Sequence, residues 1–222
     1  MKQTQRNLYI LYMIFATCLV TCNAIASKVF DTGLQLFGAN ITITVGIICY
    51  PVTFLITDII GELWGKKEAN LAVKIGLICQ LISTAFIIIA RYLPAVDPIT
   101  QENYVGILGQ NWVFVIASLS GYLLSQTWDV YIFHKIREHF IRKDGSNKRR
   151  WIWNNLSTGT SQFIDSIVYV IIAFGIGFRW LFNSEMIAPM FAMIAGQYIF
   201  KLVLAILDTP FFYLMTRSRK ED

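Results

Sequence analysis

Charge is the property this chain has least of. Asp, Glu, Lys and Arg make up 15% of its 222 residues and hydrophobic residues 55%, whereas a soluble domain carries about a quarter charged. That shortage excludes an ordinary water-soluble fold. Histidine is scarce too: His134 and His139 both sit in one basic segment with no metal partner at helical spacing, and no His-Glu-x-x-His occurs, so no metal site is expected. There is no Gly-x-Ser-x-Gly elbow and no Walker A sequence, which removes nucleophile-elbow hydrolysis and P-loop ATP hydrolysis. Cys18, Cys22, Cys49 and Cys79 have no paired spacing and lie in apolar runs, where a thiol packs like a small hydrophobe. No Pro-, Ser- or Gly-rich linker divides the chain, which reads as one transmembrane domain over residues 1–222.

What the chain has is long apolar runs. A hydrocarbon core roughly 30 Å thick, crossed at about 1.5 Å per residue, needs around twenty mostly apolar residues. Six runs meet this: Leu8 to Ser27, Ile41 to Ile60, Ala72 to Tyr92, Trp112 to Phe133, Leu156 to Phe178 and Ile187 to Met215. The expected fold class is an all-α integral membrane protein, a bundle of six transmembrane helices. Lys2, Arg6, the first apolar run and Ala24-Ile25-Ala26 imitate a cleavable signal peptide; the run reaches spanning length, so it reads as a retained helix.

The basic residues sort by loop. Of 19 Lys and Arg, all but Lys28, Arg91, Arg179 and Lys201 fall on one side: before the first run, around Lys66 to Lys74, between Lys135 and Arg150, and after the last run. The positive-inside rule then places both termini in the cytoplasm, and the expected location is an inner, cytoplasmic membrane. Lys148, Arg149 and Arg150 beside Trp151 and Trp153 read as an interfacial anchor on the bilayer rather than a nucleic-acid patch.

An ionisable group inside a span costs at least a few kcal/mol and faces the bundle interior or a site. Asp58, Asp129, Asp165, Lys201 and Asp208 are such groups, and amides accompany three of them: Gln126, Gln162 and Gln197 stand three or four residues before Asp129, Asp165 and Lys201. That spacing shares a helix face. Three successive spans can thus line one polar cavity, with Asn23 as a further contributor. Two readings stand: a ligand-facing role, and Lys–Asp pairing that merely holds helices together. A carboxylate accepts two N–H groups from a guanine-like edge and an amide complements its carbonyl. Pro51 and Pro210 are expected to kink or end their helices, either lining a cavity or simply accommodated by packing. Ser125-Gln126-Thr127-Trp128-Asp129 and Ser161-Gln162-Phe163-Ile164-Asp165 share a pattern that suits either an inverted repeat or chance.

With those residues in place the chain resembles the queuosine precursor transporter (VUT) family. The similar stretches are Asn23 to Lys28; Tyr50 to Asp58 with Gly61-Glu62 and Gly65-Lys66-Lys67; Ser125-Gln126 with Asp129 and Phe133; Ser161-Gln162 with Asp165; and Lys201 followed by Asp208-Thr209-Pro210. The resemblance implies an arrangement similar to the S components of energy-coupling transporters, import of a 7-deazaguanine base (cyano- or aminomethyl-substituted, or queuine) for tRNA modification, and no cofactor. It also adds Lys28, Asp58 and Glu62 to Asn23 as binding candidates.

Three functions remain in view: a transporter, proton-coupled or facilitative; a substrate-binding subunit that needs a separate ATPase; and, from another class, an intramembrane enzyme using paired aspartates, which would turn over its ligand where a transporter returns it unchanged. A homodimer through a lipid-facing helix stays open. The loop assignment predicts that, in a background without the four native thiols, a cysteine at Ser146 labels only from the cytoplasmic side and one at Gln101 only from the opposite side. Labelling of both from one side would invert or break the assigned topology.

Overall fold

The computed structural model describes residues 3–36, 38–144 and 150–216, and within its last three helices the side chains of several residues, Gln126, Asp129 and Asp208 among them, lie outside the description. Seven α-helices are present among the described residues: α1 (Gln5–Ile25), α2 (Tyr50–Leu63), α3 (Lys66–Tyr92), α4 (Pro98–Leu108), α5 (Asn111–Asp144), α6 (Arg150–Val170) and α7 (Ser184–Thr216). Two strands, β1 (Val29–Leu36) and β2 (Ala39–Thr44), pair into a hairpin between α1 and α2. Six helical stretches are long and apolar enough to cross a membrane: Gln5–Ile25, Val45–Leu63, Lys66–Tyr92, Pro98–Ser125, Gly159–Gly177 and Ser184–Leu204. The chain is an all-α multi-pass membrane protein.

The second span starts later than hydropathy alone suggests. Residues 41–44 read Ile-Thr-Ile-Thr and form β2, a 3₁₀ turn covers Val45–Ile48, and the α-helix begins only at Tyr50. Alternating β-branched residues favour a pleated strand, and Gly38, at φ 75°, supplies the turn. Pro51 therefore sits in the first turn of α2, where its missing N–H removes no helical bond and introduces no kink. Pro210 does not end its helix either, since α7 continues to Thr216. The fourth span gains α4, which Asp97 caps by accepting from the backbone N–H of Ile99 and Thr100 at 2.9 and 3.0 Å. Hydrogen bonding from Thr100 holds the Asp97 carboxyl below its usual range. Helices α5 and α6 occupy much of the expected basic connection, reaching Asp144 and starting at Arg150. Residues 145–149 and the side chains of His134 and His139 lie outside the described residues.

Two compact units divide the chain: Met1–Thr32 with Thr42–Val115 and Ile199–Asp222, and Gly33–Ile41 with Ile116–Tyr198. In the first, Leu8, Leu11, Tyr12 and Phe15 of α1 pack on Ile56, Ile59, Ile60 and Leu63 of α2 and Ala72 of α3. Helix α3 buries Ala72, Gly76, Gln80 and Thr84, one residue per turn, while Ile78, Leu81, Ile82, Phe86 and Ile89 are exposed. Small and polar residues inside with large aliphatics outside is the pattern of a helix solvated by lipid, where close approach and hydrogen bonds hold helices together. The Tyr12 hydroxyl adds a bond to the Glu68 carboxylate at the start of α3. In the second unit, Val170, Ala173, Phe174, Met190, Ala192 and Met193 are buried. Here α6 continues as a π-helix over Ile171–Gly177, whose Phe174 ring lies 5.2 Å from Phe178 and 5.1 Å from Trp180.

A Cβ at Gly76 would fall 2.5 Å from Phe15 Cε1 and 3.0 Å from Leu19 Cδ2. Gly76→Leu is accordingly expected to force α1 and α3 apart and cost about 1–3 kcal/mol, read as a lowered melting temperature in detergent. An unchanged melting temperature would show that α1 and α3 do not pack here.

Candidate substrate site

In the second unit α6 presents Gln162 and Asp165 three residues apart, both half-buried, with Ser161 and Ser166 buried beside them. The Ser166 hydroxyl is spent within the helix, donating to the Gln162 carbonyl at 3.0 Å. Helix α5 comes so close at this point that a Cβ on Gly121 would lie 2.6 Å from Asp165 Oδ1 and 3.3 Å from the Asp165 carbonyl. Glycine at position 121 is thus what gives the carboxylate its room. One to two turns further along α5, Trp128 Nε1 donates to Thr160 Oγ1 at 3.2 Å, tying the two helices together. The Phe163 ring meets Tyr198 of α7 edge-on at 5.2 Å. Gln197, beside Tyr198, is 3% exposed, and its Nε2 is buried with no hydrogen-bond partner among the described residues. Of the expected cavity residues, Gln162, Asp165 and Gln197 all lie in the second unit, where Phe163 and Tyr198 join α6 to α7. Gln126 and Asp129 lie on α5 in the same unit, with side chains outside the described set.

The remaining candidates belong to the first unit. Lys201, one turn beyond Gln197 on α7, is 7% exposed, and its Nζ stands 4.8 Å from the centroid of the Tyr50 ring. A desolvated ammonium over an aromatic face gains about 2 kcal/mol or more, which offsets part of its burial. Lys28 follows α1 and is exposed, and its carbonyl accepts from Val45 N at 2.8 Å. Asp58 and Glu62 lie one turn apart on the exposed stripe of α2, opposite the packed Ile56, Ile59, Ile60 and Leu63. Asp208 is in α7, its side chain outside the described residues.

Asn23 enters a string of polar side chains that the sequence reading missed. Its Nδ2 donates to the Leu19 carbonyl and to Gln80 Oε1, each at 3.2 Å. Gln80 Nε2 donates to Thr84 Oγ1 at 3.2 Å, and Thr84 Oγ1 lies 3.3 Å from Asn111 Oδ1. Helices α1, α3 and α5 are linked by it, and Asn111 Nδ2 and Gln110 Oε1 are buried without partners among the described residues. A buried amide left unpaired costs about 1–3 kcal/mol. The signal was available: Gln80 and Thr84 stand one turn apart in an otherwise apolar run.

Among the described residues no group of three His, Cys, Asp or Glu is placed to hold a metal ion. An open groove of about 610 Å³ between α1, α3 and α4, lined by residues such as Val20, Ile82, Phe86 and Tyr104, is almost wholly apolar and contains none of the candidate polar residues. What the two polar clusters offer is hydrogen-bond recognition inside membrane-spanning helices.

Residues 44–215 match the family described as "Putative vitamin uptake transporter". A "Probable queuosine precursor transporter" of Bacillus subtilis (strain 168) is 29% identical over 191 residues, covering 85% of this chain and 77% of that protein. No solved structure matches the chain. With three-quarters of its length inside the family's boundaries, this chain belongs to the vitamin uptake transporter family and is a membrane transporter, not an enzyme.

Proposed function

We propose that the chain imports a queuosine precursor, a 7-deazaguanine base bearing a cyano, aminomethyl or queuine-type substituent, across an inner, cytoplasmic membrane for tRNA modification. The observation that carries this reading is the Asp165 carboxylate, held inside a spanning helix with room made for it by Gly121. A guanine-like edge offers adjacent N–H groups, and a carboxylate is the side chain that accepts two of them. Gln162 and Gln197 are amides that can donate to and accept from the edge of such a base, and Phe163 meets Tyr198 in the same unit. Gln126 and Asp129 on α5 complete this set. Asn23, Lys28, Asp58, Glu62, Lys201 and Asp208 belong to the first unit and form a separate group of proposed substrate contacts. The printed name of the Bacillus relative supports the choice of base.

The chain works as a transporter in its own right in this reading, in an arrangement like that of S components but without their ATPase. Purified protein in liposomes is expected to take up a 7-deazaguanine with no added ATPase, and uptake that appears only with an ATPase module would favour the subunit reading instead. Asp165→Asn is expected to weaken binding roughly ten- to a hundredfold, the loss of a charge-assisted hydrogen bond of about 1.5–3 kcal/mol. Gly121→Ala is expected to act in the same direction by displacing the carboxylate, with a smaller change in melting temperature. Full uptake by both variants would remove Asp165 from the site, and no binding of any 7-deazaguanine by the parent protein would remove the substrate.

A further inference from the structure

We propose that Asn111 ends a second polar subsite, within the first unit, that takes a carbonyl oxygen of the transported base. The inference rests on the substrate proposed above only for the identity of that base. The subsite itself follows from the direction of the hydrogen bonds.

The Leu19 carbonyl can only accept, so the Asn23 atom facing it at 3.2 Å is Nδ2. That one assignment fixes the next amide as well. The same Nδ2 faces Gln80 at 3.2 Å, which makes the facing Gln80 atom Oε1 and turns its Nε2 toward Thr84. Thr84 Oγ1 accepts that bond and gives its own proton to Asn111 Oδ1 at 3.3 Å. What is left at the far end is Asn111 Nδ2, a donor with no acceptor among the described residues.

Asn23, Gln80, Thr84 and Asn111 are 4, 2, 8 and 2% exposed. In so dry a setting hydrogen bonds aligned in one sense polarise one another, and the donor end becomes more positive. Asn111 also opens the 34-residue helix α5, whose N-terminus carries partial positive charge. Both effects act on one point, and both favour an oxygen acceptor there. A neutral carbonyl is accepted there at a smaller desolvation cost than a carboxylate would be. Recognition at Asn111 therefore reads whether the base carries an oxo group or an amino group in its six-membered ring. An amino group would meet donor with donor.

The test compares a 7-deazaguanine with its counterpart in which the ring carbonyl is replaced by an amino group, using ligand-induced thermal stabilisation and binding titration of the full chain in detergent. The parent is expected to prefer the oxo base. Asn111→Leu is expected to lower affinity for the oxo base roughly tenfold, leave the amino base unchanged, and so collapse the preference. Asn111→Ala serves where the leucine variant does not fold. Thr84→Val, which removes the hydroxyl that orients Asn111, is expected to move the ratio the same way but less far. If Asn111 only held helices together, melting temperature would fall while the oxo-to-amino ratio stayed at the parental value, and that result would overturn the subsite while leaving the substrate reading intact. A parent protein that binds neither base overturns both.

Discussion

Hydrocarbon offers a protein no hydrogen bonds, and this chain is organised by where it has to supply its own. Its spanning helices close their backbone bonds internally, so the outward faces are free to be large and aliphatic. What then holds the helices together is close contact and polar linkage, as α3 displays: Ala72, Gly76, Gln80 and Thr84 on one side, Ile78, Leu81, Phe86 and Ile89 on the other. In water the same helix would be inside out.

The same constraint explains how the polar residues are handled. Tyr12 reaches Glu68, Lys201 lies over Tyr50, and Asn23 starts a run of amides and hydroxyls through α3 to α5. Each arrangement offsets a desolvation cost by a partner from another helix. Where no such partner stands among the described residues, at Gln197 Nε2 and Asn111 Nδ2, hydrogen-bonding capacity is held back from the fold. A carrier needs such capacity, because a cargo is recognised only by groups that the protein has not already satisfied.

Glycine sets the geometry at two of these places. At Gly76 the absence of a side chain lets α3 lie against the Phe15 ring, and at Gly121 it leaves the space that the Asp165 carboxylate occupies. The first contact serves packing alone. The second couples packing of α5 on α6 to the position of an ionisable group, so the placing of that carboxylate depends on a residue that carries no chemistry.

The number of spans and the presence of Asp58, Asp165 and Lys201 within them were legible from the chain itself. Hydropathy is a local property, and twenty apolar residues have one stable place to go. So was the grouping of Gln162 with Asp165, because helical spacing alone puts them on one face. The β-hairpin was legible in principle, from alternating Ile and Thr, and was hidden by their hydrophobicity. What the tertiary structure decided was which faces meet: that Gly121 stands against Asp165, that Lys201 finds Tyr50, and that Asn23, Gln80, Thr84 and Asn111 join in one direction. Apart from Gln80 and Thr84, one turn apart on α3, those pairings join residues 27 to 151 positions apart along the chain, and no local periodicity encodes them. They arise only when side-chain volumes and polar groups on separate helices have to be satisfied together in the absence of water.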